Sequence, residues 1–366
     1  MKKYAYNEIT LMQYIFLIHG AQFGIGVLQL PRILAEKAGM DGWIPIIFGW
    51  MTSVIGSLII IQIMKKYPEG TLFDLFTKYF GKWAGKAIAL FMALYFAFVA
   101  FTIVQRSILF IQVWIVPGVS GYVLMILFAI PTYTIARNGI RIIGRYAELV
   151  FFLILWMPLF YWFALRESHH WIHLLPLFKD MKKALLATQS TIYSFLGVEI
   201  AFFLYPFLQK KQAASIGIII ANLLSMLVFL FVTLTCYIFF SPDEITLFNE
   251  PTLSILKVVE FRFVERMEII FLAFYLLVLS RTWMPYMYGA TFCSSWLFGK
   301  QDHSKHLLLL LLLLVLVTYF DTPTFNQNDL LQEWGAKLGS SFVYIFSLFL
   351  WIYLSIRERI RGRAAK

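Results

Sequence analysis

The stretch Gly20-Ala21-Gln22-Phe23-Gly24-Ile25-Gly26, followed by Pro31, interrupts an apolar run that extends from residue 10 to residue 35. Three glycines within seven positions weaken a helix, because glycine loses the most backbone freedom on ordering, and a proline removes one of its hydrogen bonds. A second interruption, Ser194-Phe195-Leu196-Gly197-Val198-Glu199, stands with Pro206 in the run 187–208. Inside a bilayer a broken helix leaves polar backbone groups that only protein, water or a ligand can satisfy. The fold therefore turns on whether both breaks lie in membrane spans, and on their place in the order of spans.

Composition answers the first point. A soluble domain is about 45–50% apolar and about 25% charged, whereas 60% of these 366 residues are apolar and 14% are charged. The runs 44–64, 87–101, 149–165, 215–240 and 306–320 are long enough, or nearly so, for a hydrocarbon core that needs about 20 residues per helix. None shows the alternation of a barrel strand, so the expected class is an all-α membrane protein forming a single transmembrane domain over 1–366. Ten spans are expected at 10–35, 41–64, 84–115, 118–136, 142–165, 187–208, 214–240, 266–298, 305–320 and 338–356. The basic start at Lys2 and Lys3 runs into the first span with no small-residue cleavage site, which reads as a retained span and not a signal peptide. Cys236 and Cys293 fall inside spans, unclustered, and carry no redox or metal signal.

An even number of spans puts both ends on one side, and Lys and Arg in short loops mark the cytoplasm. Nineteen of the 31 basic residues then fall on the side of the ends, among them Lys2, Lys3, Lys65, Lys66, Arg137, Lys210, Lys300 and the tail from Arg357 to Lys366. Nine fall opposite, including Arg262 and Lys337, mostly mixed with acids. Arg32, Arg106 and Arg281 lie in or at the ends of spans. The net charge of +11 is thus a topology signal that puts both termini in the cytoplasm, and no soluble basic face exists for nucleic acid. Two outward loops are long. Residues 166–186 carry Ser168, His169, His170, Trp171 and His173; within 241–265, the apolar spacing of residues 253–263 predicts a short helix lying across the outer face.

The order of spans answers the second point. The breaks fall near the middle of the first span of each five-span half, 1–165 and 187–356, ahead of a basic tail at 357–366. Interrupted spans at matching places in two halves are the pointer to a 5+5 inverted-repeat transporter architecture, whose half-helix ends face a midplane site. The positive end of the outer half of span one suits a carboxylate, and freed carbonyls suit an ammonium. The alternative for Gly24-Ile25-Gly26 is a close-packing seam between helices; the second break at the symmetric place favours a binding site.

Several pieces follow in order: Leu28-Gln29-Leu30-Pro31-Arg32, Asp41-Gly42-Trp43, Tyr67-Pro68-Glu69-Gly70-Thr71-Leu72-Phe73 with Gly81-Lys82-Trp83, Ser194-Phe195-Leu196-Gly197 with Glu199, and Phe263-Val264-Glu265-Arg266. In that order and spacing, over nearly the whole chain, the sequence resembles the B subunits of nutrient germinant receptors of spore-forming bacteria. These belong to the spore germination permease family of the amino acid-polyamine-organocation transporter superfamily. The resemblance implies a LeuT-like ten-span fold and a sensing subunit for a small germinant, an amino acid, beside an A subunit and a lipoprotein C subunit. It also implies a place in the cell membrane or spore inner membrane, amid lipid. Arg106 and Arg281 stand outside the resemblance.

In such a fold spans one, three, six and eight line the pocket. Gln22, Gly24, Ile25 and Gly26 then face Tyr95 and Val99, with Phe195, Leu196 and Gly197 from span six and Thr282 and Tyr286, one turn apart, from span eight. For Tyr95, Thr282 and Tyr286 ordinary interhelical hydrogen bonding is the equal alternative; for Val99 and Leu196 plain packing is ahead. Glu199 is costly inside a membrane. It can bind an ammonium, carry a proton or pair with a buried arginine, and the pair with Arg106 or Arg281 is the favoured reading. Arg281 can instead meet a substrate carboxylate, and Arg106 can extend toward the interface. The three loop histidines read as interfacial, not as a metal site. No nucleophile, carboxylate pair or phosphate-cradling loop appears outside the spans, so neither an enzyme nor a cofactor is expected. Three functions remain: a sensor, a proton- or sodium-coupled amino acid transporter, and a channel opened by the ligand.

Overall fold

Thr10 starts the first helix. Its hydroxyl accepts the Gln13 amide and the Gln13 side chain accepts the Thr10 amide, which satisfies two groups that a helix start leaves open. In the computed structural model, which describes residues 7–167, 169–259 and 266–364, this helix runs Leu11–Gln22 and resumes as Gly26–Ala38 after three non-helical residues, giving a broken span one. Spans two to five are Trp43–Lys65, Lys82–Trp114, Gly121–Ala136, and Ile140–Leu153 continued by Met157–Glu167. Span six is Met181–Ser194 followed by Val198–Phe207, bent by 43° at the break. Spans seven to nine are Ala214–Phe239, Met267–Leu297 and Ser304–Phe320. Span ten joins Phe325–Ser340 to Ser347–Ala364 through a π-helical stretch, Ser341–Phe346. Lys2, Lys3, Ser168, Arg262, Phe263, Val264, Glu265 and Lys366 lie outside the described residues.

Six stretches are each long and apolar enough to cross a membrane, and the bent pair of span six makes a seventh; spans four and nine are apolar but shorter. Although helix is nearly continuous over Gly26–Lys65, the chain crosses twice there. Gly39, at φ +62°, turns it, so that Leu34 and Gly42 meet beside Tyr237 at one end of span seven, while Lys65 reaches Ser215 at the other. The start of span one and the end of span ten share a face. The Ile9 amide donates to the Phe207 carbonyl at 2.9 Å beside the foot of span six, and Lys66 pairs with Glu358 at 2.9 Å.

The breaks of spans one and six lie against each other, with Gly26 packed on Ser194 and Gly197 on the Ala21–Gln22 backbone. That antisymmetric crossing is the centre of an inverted repeat, as the two interruptions require.

Three expectations need correction. Span ten begins at Phe325, not 338, because its first half is too polar for an apolar-run criterion yet is capped by Thr324 and finds partners inside the protein: the Asn328 side chain donates to the Thr102 carbonyl at 3.0 Å. Span six begins at Met181, not 187, capped by the Asp180 side chain. The described part of the segment expected to lie across the outer face, residues 253–259, belongs to two short turns, Pro251–Ser254 and Ile255–Val258, that dip inward: Leu253, Ile255 and Leu256 are buried and the Thr252 hydroxyl donates to the Val27 carbonyl at 3.1 Å. Its apolar side chains gain more from a protein core than from a headgroup layer. An amphipathic helix not anticipated, Leu72–Phe80, joins spans two and three.

Candidate functional site

The first half of span one closes with the Phe23 amide on the His19 carbonyl, and the second half opens at Gly26 behind Ile25, which supplies no side-chain cap. Span eight meets the carbonyls near the break: the Thr282 hydroxyl donates to Gly20 at 2.8 Å, and the Tyr275 hydroxyl to Gly24 at 2.7 Å. The first amides of Gly26–Ala38 keep the orientation and partial positive charge of a helix N-terminus.

Span six breaks where Gly197 takes φ +124°. A side chain there would also place its Cβ 2.7 Å from the Ala21 carbonyl carbon and the Gln22 nitrogen, so only glycine fits. The kink turns Glu199 into the protein, where it is wholly buried. Its Oε1 accepts the Tyr95 hydroxyl at 2.9 Å and the Tyr286 hydroxyl at 2.7 Å, and its Oε2 accepts the Gly197 amide at 2.7 Å. A carboxylate has about four acceptor positions, so one is left without a donor among the described residues. Every partner is neutral, and among the described residues no Lys or Arg forms an ion pair with it.

Gln22 is a strut between the breaks and span seven. Its Nε2 donates to the Phe195 carbonyl at 3.0 Å and to Asn222 Oδ1 at 2.9 Å, and its Oε1 accepts the Ser225 hydroxyl at 2.7 Å. Asn222 also accepts the Ser53 hydroxyl at 2.6 Å, which carries the network into span two. The Phe195 ring turns toward span seven, edge-on to Phe229 at 5.2 Å, so its carbonyl and not its ring faces the breaks. Ile25 is buried beside Gly24 and Gly26; a Cβ at Gly24 would stand 3.3 Å from Thr282 Cγ2.

Val99 and Leu196 are half-buried and face span ten, at Gly335 and Gly339. A side chain at Gly339 would strike the Tyr95 hydroxyl, so span ten closes over this side of the site. Gly335, Gly339, Tyr275, Asn222 and Ser225 were not anticipated. Their signals were present: a Gly-x-x-x-Gly spacing that permits close helix approach, a tyrosine two turns before Thr282 on the same helix face, and polar residues inside an apolar span.

The arginines do not pair with Glu199. Arg106 is buried between Glu250 Oε1 at 3.1 Å and Asp329 Oδ1 at 2.9 Å, with its Cζ 4.7 Å from the centre of the Phe325 ring. It ties span three to the inward-dipping loop and to span ten, and does not extend to the interface. Burial raises the Glu250 carboxyl above its ordinary range, with Arg106 pulling the other way. Arg281 stands five residues before Tyr286, about 140° around the helix, and so faces Gly20 and Phe151 instead of Glu199. His169 and His170 are exposed, the His170 and His173 rings stand 5.1 Å apart, and among the described residues no group of three His, Cys, Asp or Glu is placed to hold a metal ion.

The sequence profile of the family described as "Spore germination protein" matches residues 8–330. Spore germination protein GerQB of Bacillus cereus is 24% identical over 362 residues, covering 97% of this chain and 98% of its own length. Spore germination proteins B2 and YndE of Bacillus subtilis (strain 168) are 25% and 26% identical, each over 98% of this chain and covering 98% and 99% of their own. Among solved structures, MhsT in complex with L-phenylalanine superposes with a TM-score of 0.67 at 13% identity, covering 93% of this chain and 89% of its own. Mhp1, a nucleobase-cation-symport-1 family transporter in a closed conformation with bromovinylhydantoin bound, gives 0.61 at 10% identity, covering 90% and 75%. At such identities the likeness is one of fold, that of the LeuT-like transporters.

Proposed function

The chain belongs to the spore germination protein family, and from that premise we propose that it is the nutrient-sensing membrane subunit of a germinant receptor. It binds a small germinant, an amino acid, where the breaks of spans one and six meet, and it works beside A and C subunits in the spore inner membrane. The distribution of loop charges supports a cytoplasmic side for both termini.

The observation that carries this reading is Glu199: a wholly buried carboxylate with neutral donors on three of its acceptor positions. Across the crossing, the start of Gly26–Ala38 offers helix N-terminal amides. A negative group and a positive helix end on two sides of one crossing complement a zwitterion, whose ammonium takes the remaining Glu199 position and whose carboxylate meets the amides. Sensing then requires the ligand to favour one arrangement of the broken spans, since equal affinity for two states shifts neither.

A calorimetric screen of the common amino acids on purified protein tests the site, and uptake of the same radiolabelled amino acid into proteoliposomes tests the role. Saturable binding without gradient-driven uptake is expected. Uptake that responds to a proton or sodium gradient would instead identify a coupled transporter, and no binding to any amino acid would remove the zwitterion assignment.

A further inference from the structure

Arg281 is wholly buried near the middle of span eight, and among the described residues its Nε, Nη1 and Nη2 have no hydrogen-bond partner. A guanidinium does not give up its proton, and a bare cation among membrane helices is costly. Arg106, the other deeply buried arginine, has two carboxylates.

The groups around Arg281 do not neutralise it. Its side chain lies against Gly20, whose Cβ would stand 3.2 Å from that of Arg281, and its Cζ is 6.0 Å from the centre of the Phe151 ring. His19, Tyr146 and Tyr275 are its electrostatic neighbours. Tyr275 donates its hydroxyl proton to Gly24, Tyr146 shares a 2.5 Å hydrogen bond with Ser280, and His19 Nδ1 meets Ser225 at 2.9 Å. Span five does carry an acid, Glu148, but its carboxylate lies toward Gln13 at 3.5 Å. Beside this cluster is a cavity of about 100 Å³ whose walls include His19, Phe151, Tyr275 and Val278 and are almost entirely apolar. Among the described residues, a charge without a counter-charge stands next to a largely apolar space.

We propose that Arg281 anchors a small monovalent anion, a halide or a carboxylate, in a second site between spans one, five and eight, on a different face of span eight from Tyr286 and Glu199. The forked guanidinium suits either anion. A carboxylate would extend its apolar body past Phe151 into the adjoining cavity. Because Thr282, the next residue, holds the Gly20 carbonyl, occupancy of this site bears on how the inner half of span one seats against span eight.

The test uses the full chain in lipid nanodiscs at constant ionic strength, with gluconate replaced stepwise by chloride, bromide or acetate while thermal unfolding is followed. A saturable rise of the midpoint is expected, about tenfold or more weaker in apparent affinity for Arg281→Gln and partly kept by Arg281→Lys. Preference for halide or for acetate identifies the natural class. Bromide-soaked crystals of the unaltered protein give an independent reading, with anomalous density expected within hydrogen-bonding reach of the Arg281 guanidinium. Equal responses of the unaltered and Arg281→Gln proteins, or no saturable response together with no bromide density there, would overturn the proposal.

Discussion

Replacing Glu199 by Gln changes almost nothing in size and removes one charge, so it separates a ligand contact from a structural one. Gln can keep its carbonyl oxygen toward Tyr95 and Tyr286, but its amide nitrogen then faces the Gly197 amide, donor against donor. Losing that one bond inside the protein costs about 1–3 kcal/mol of stability. If the germinant ammonium also meets this carboxylate, binding loses a buried charge pair, worth about 2–5 kcal/mol, which is a fall in affinity of about 30- to 4,000-fold. Both are measurable on one preparation: thermal unfolding for the first, calorimetric titration with the activating amino acid for the second. A decarboxylated and a deaminated analogue complete the cycle. The deaminated analogue should bind the unaltered and Gln proteins alike, because it lacks the group that senses the change. A Gln protein that binds the amino acid as tightly as the unaltered protein, at a normal level in the membrane, would refute the assignment of Glu199 to the ligand.

Gly197→Ala should destabilise by about 2–5 kcal/mol, from a strained φ and from the 2.7 Å approach to span one, and thermal unfolding will read it; an unchanged midpoint would mean the two breaks do not meet as described. Gly24→Val should be milder in stability, since the nearest approach of its Cβ is 3.3 Å, to Thr282 Cγ2, but should shift the nutrient dose response of spores by pushing Thr282 off the Gly20 carbonyl. A normal dose response with normal protein level would remove Gly24 from the site. Arg106→Met leaves Glu250 buried without its cation and should cost about 3–5 kcal/mol; the double variant with Glu250→Gln should recover part of this, and a single variant as stable as the double would show that the pair is not a unit.

The architecture was legible because its two causes are local in sequence. Apolar runs report spans one residue at a time, and the breaks at Gly24 and Gly197 need no knowledge of the neighbours that fill them. What was not legible depends on pairs far apart in the chain. Nothing near Arg106 announces Glu250 or Asp329, and nothing near Glu199 announces that Tyr95 and Tyr286 will converge on it while Arg281, on the same helix as Tyr286, turns away. The outer half of span ten was missed for a related reason. It packs on spans three and six through three buried residues, Asn328, Gly335 and Gly339, with Asn328 on the Thr102 carbonyl, while most of its other polar residues stay exposed, and an apolar-run reading cannot see such distant partners.

The π-helical stretch Ser341–Phe346, where the Ser347 hydroxyl reaches back five residues to the Phe342 carbonyl at 3.0 Å, holds one residue more than the same length of α-helix would. Rewinding it to α geometry would rotate the outer half of span ten by about 100° against its inner half and advance it by about 1.5 Å. Gly335 and Gly339 would swing away from Val99, Leu196 and Tyr95, and bulkier side chains would come round in their place. One click of register at the extra residue, far smaller than a domain movement, would exchange a smooth glycine surface over the site for an obstructed one.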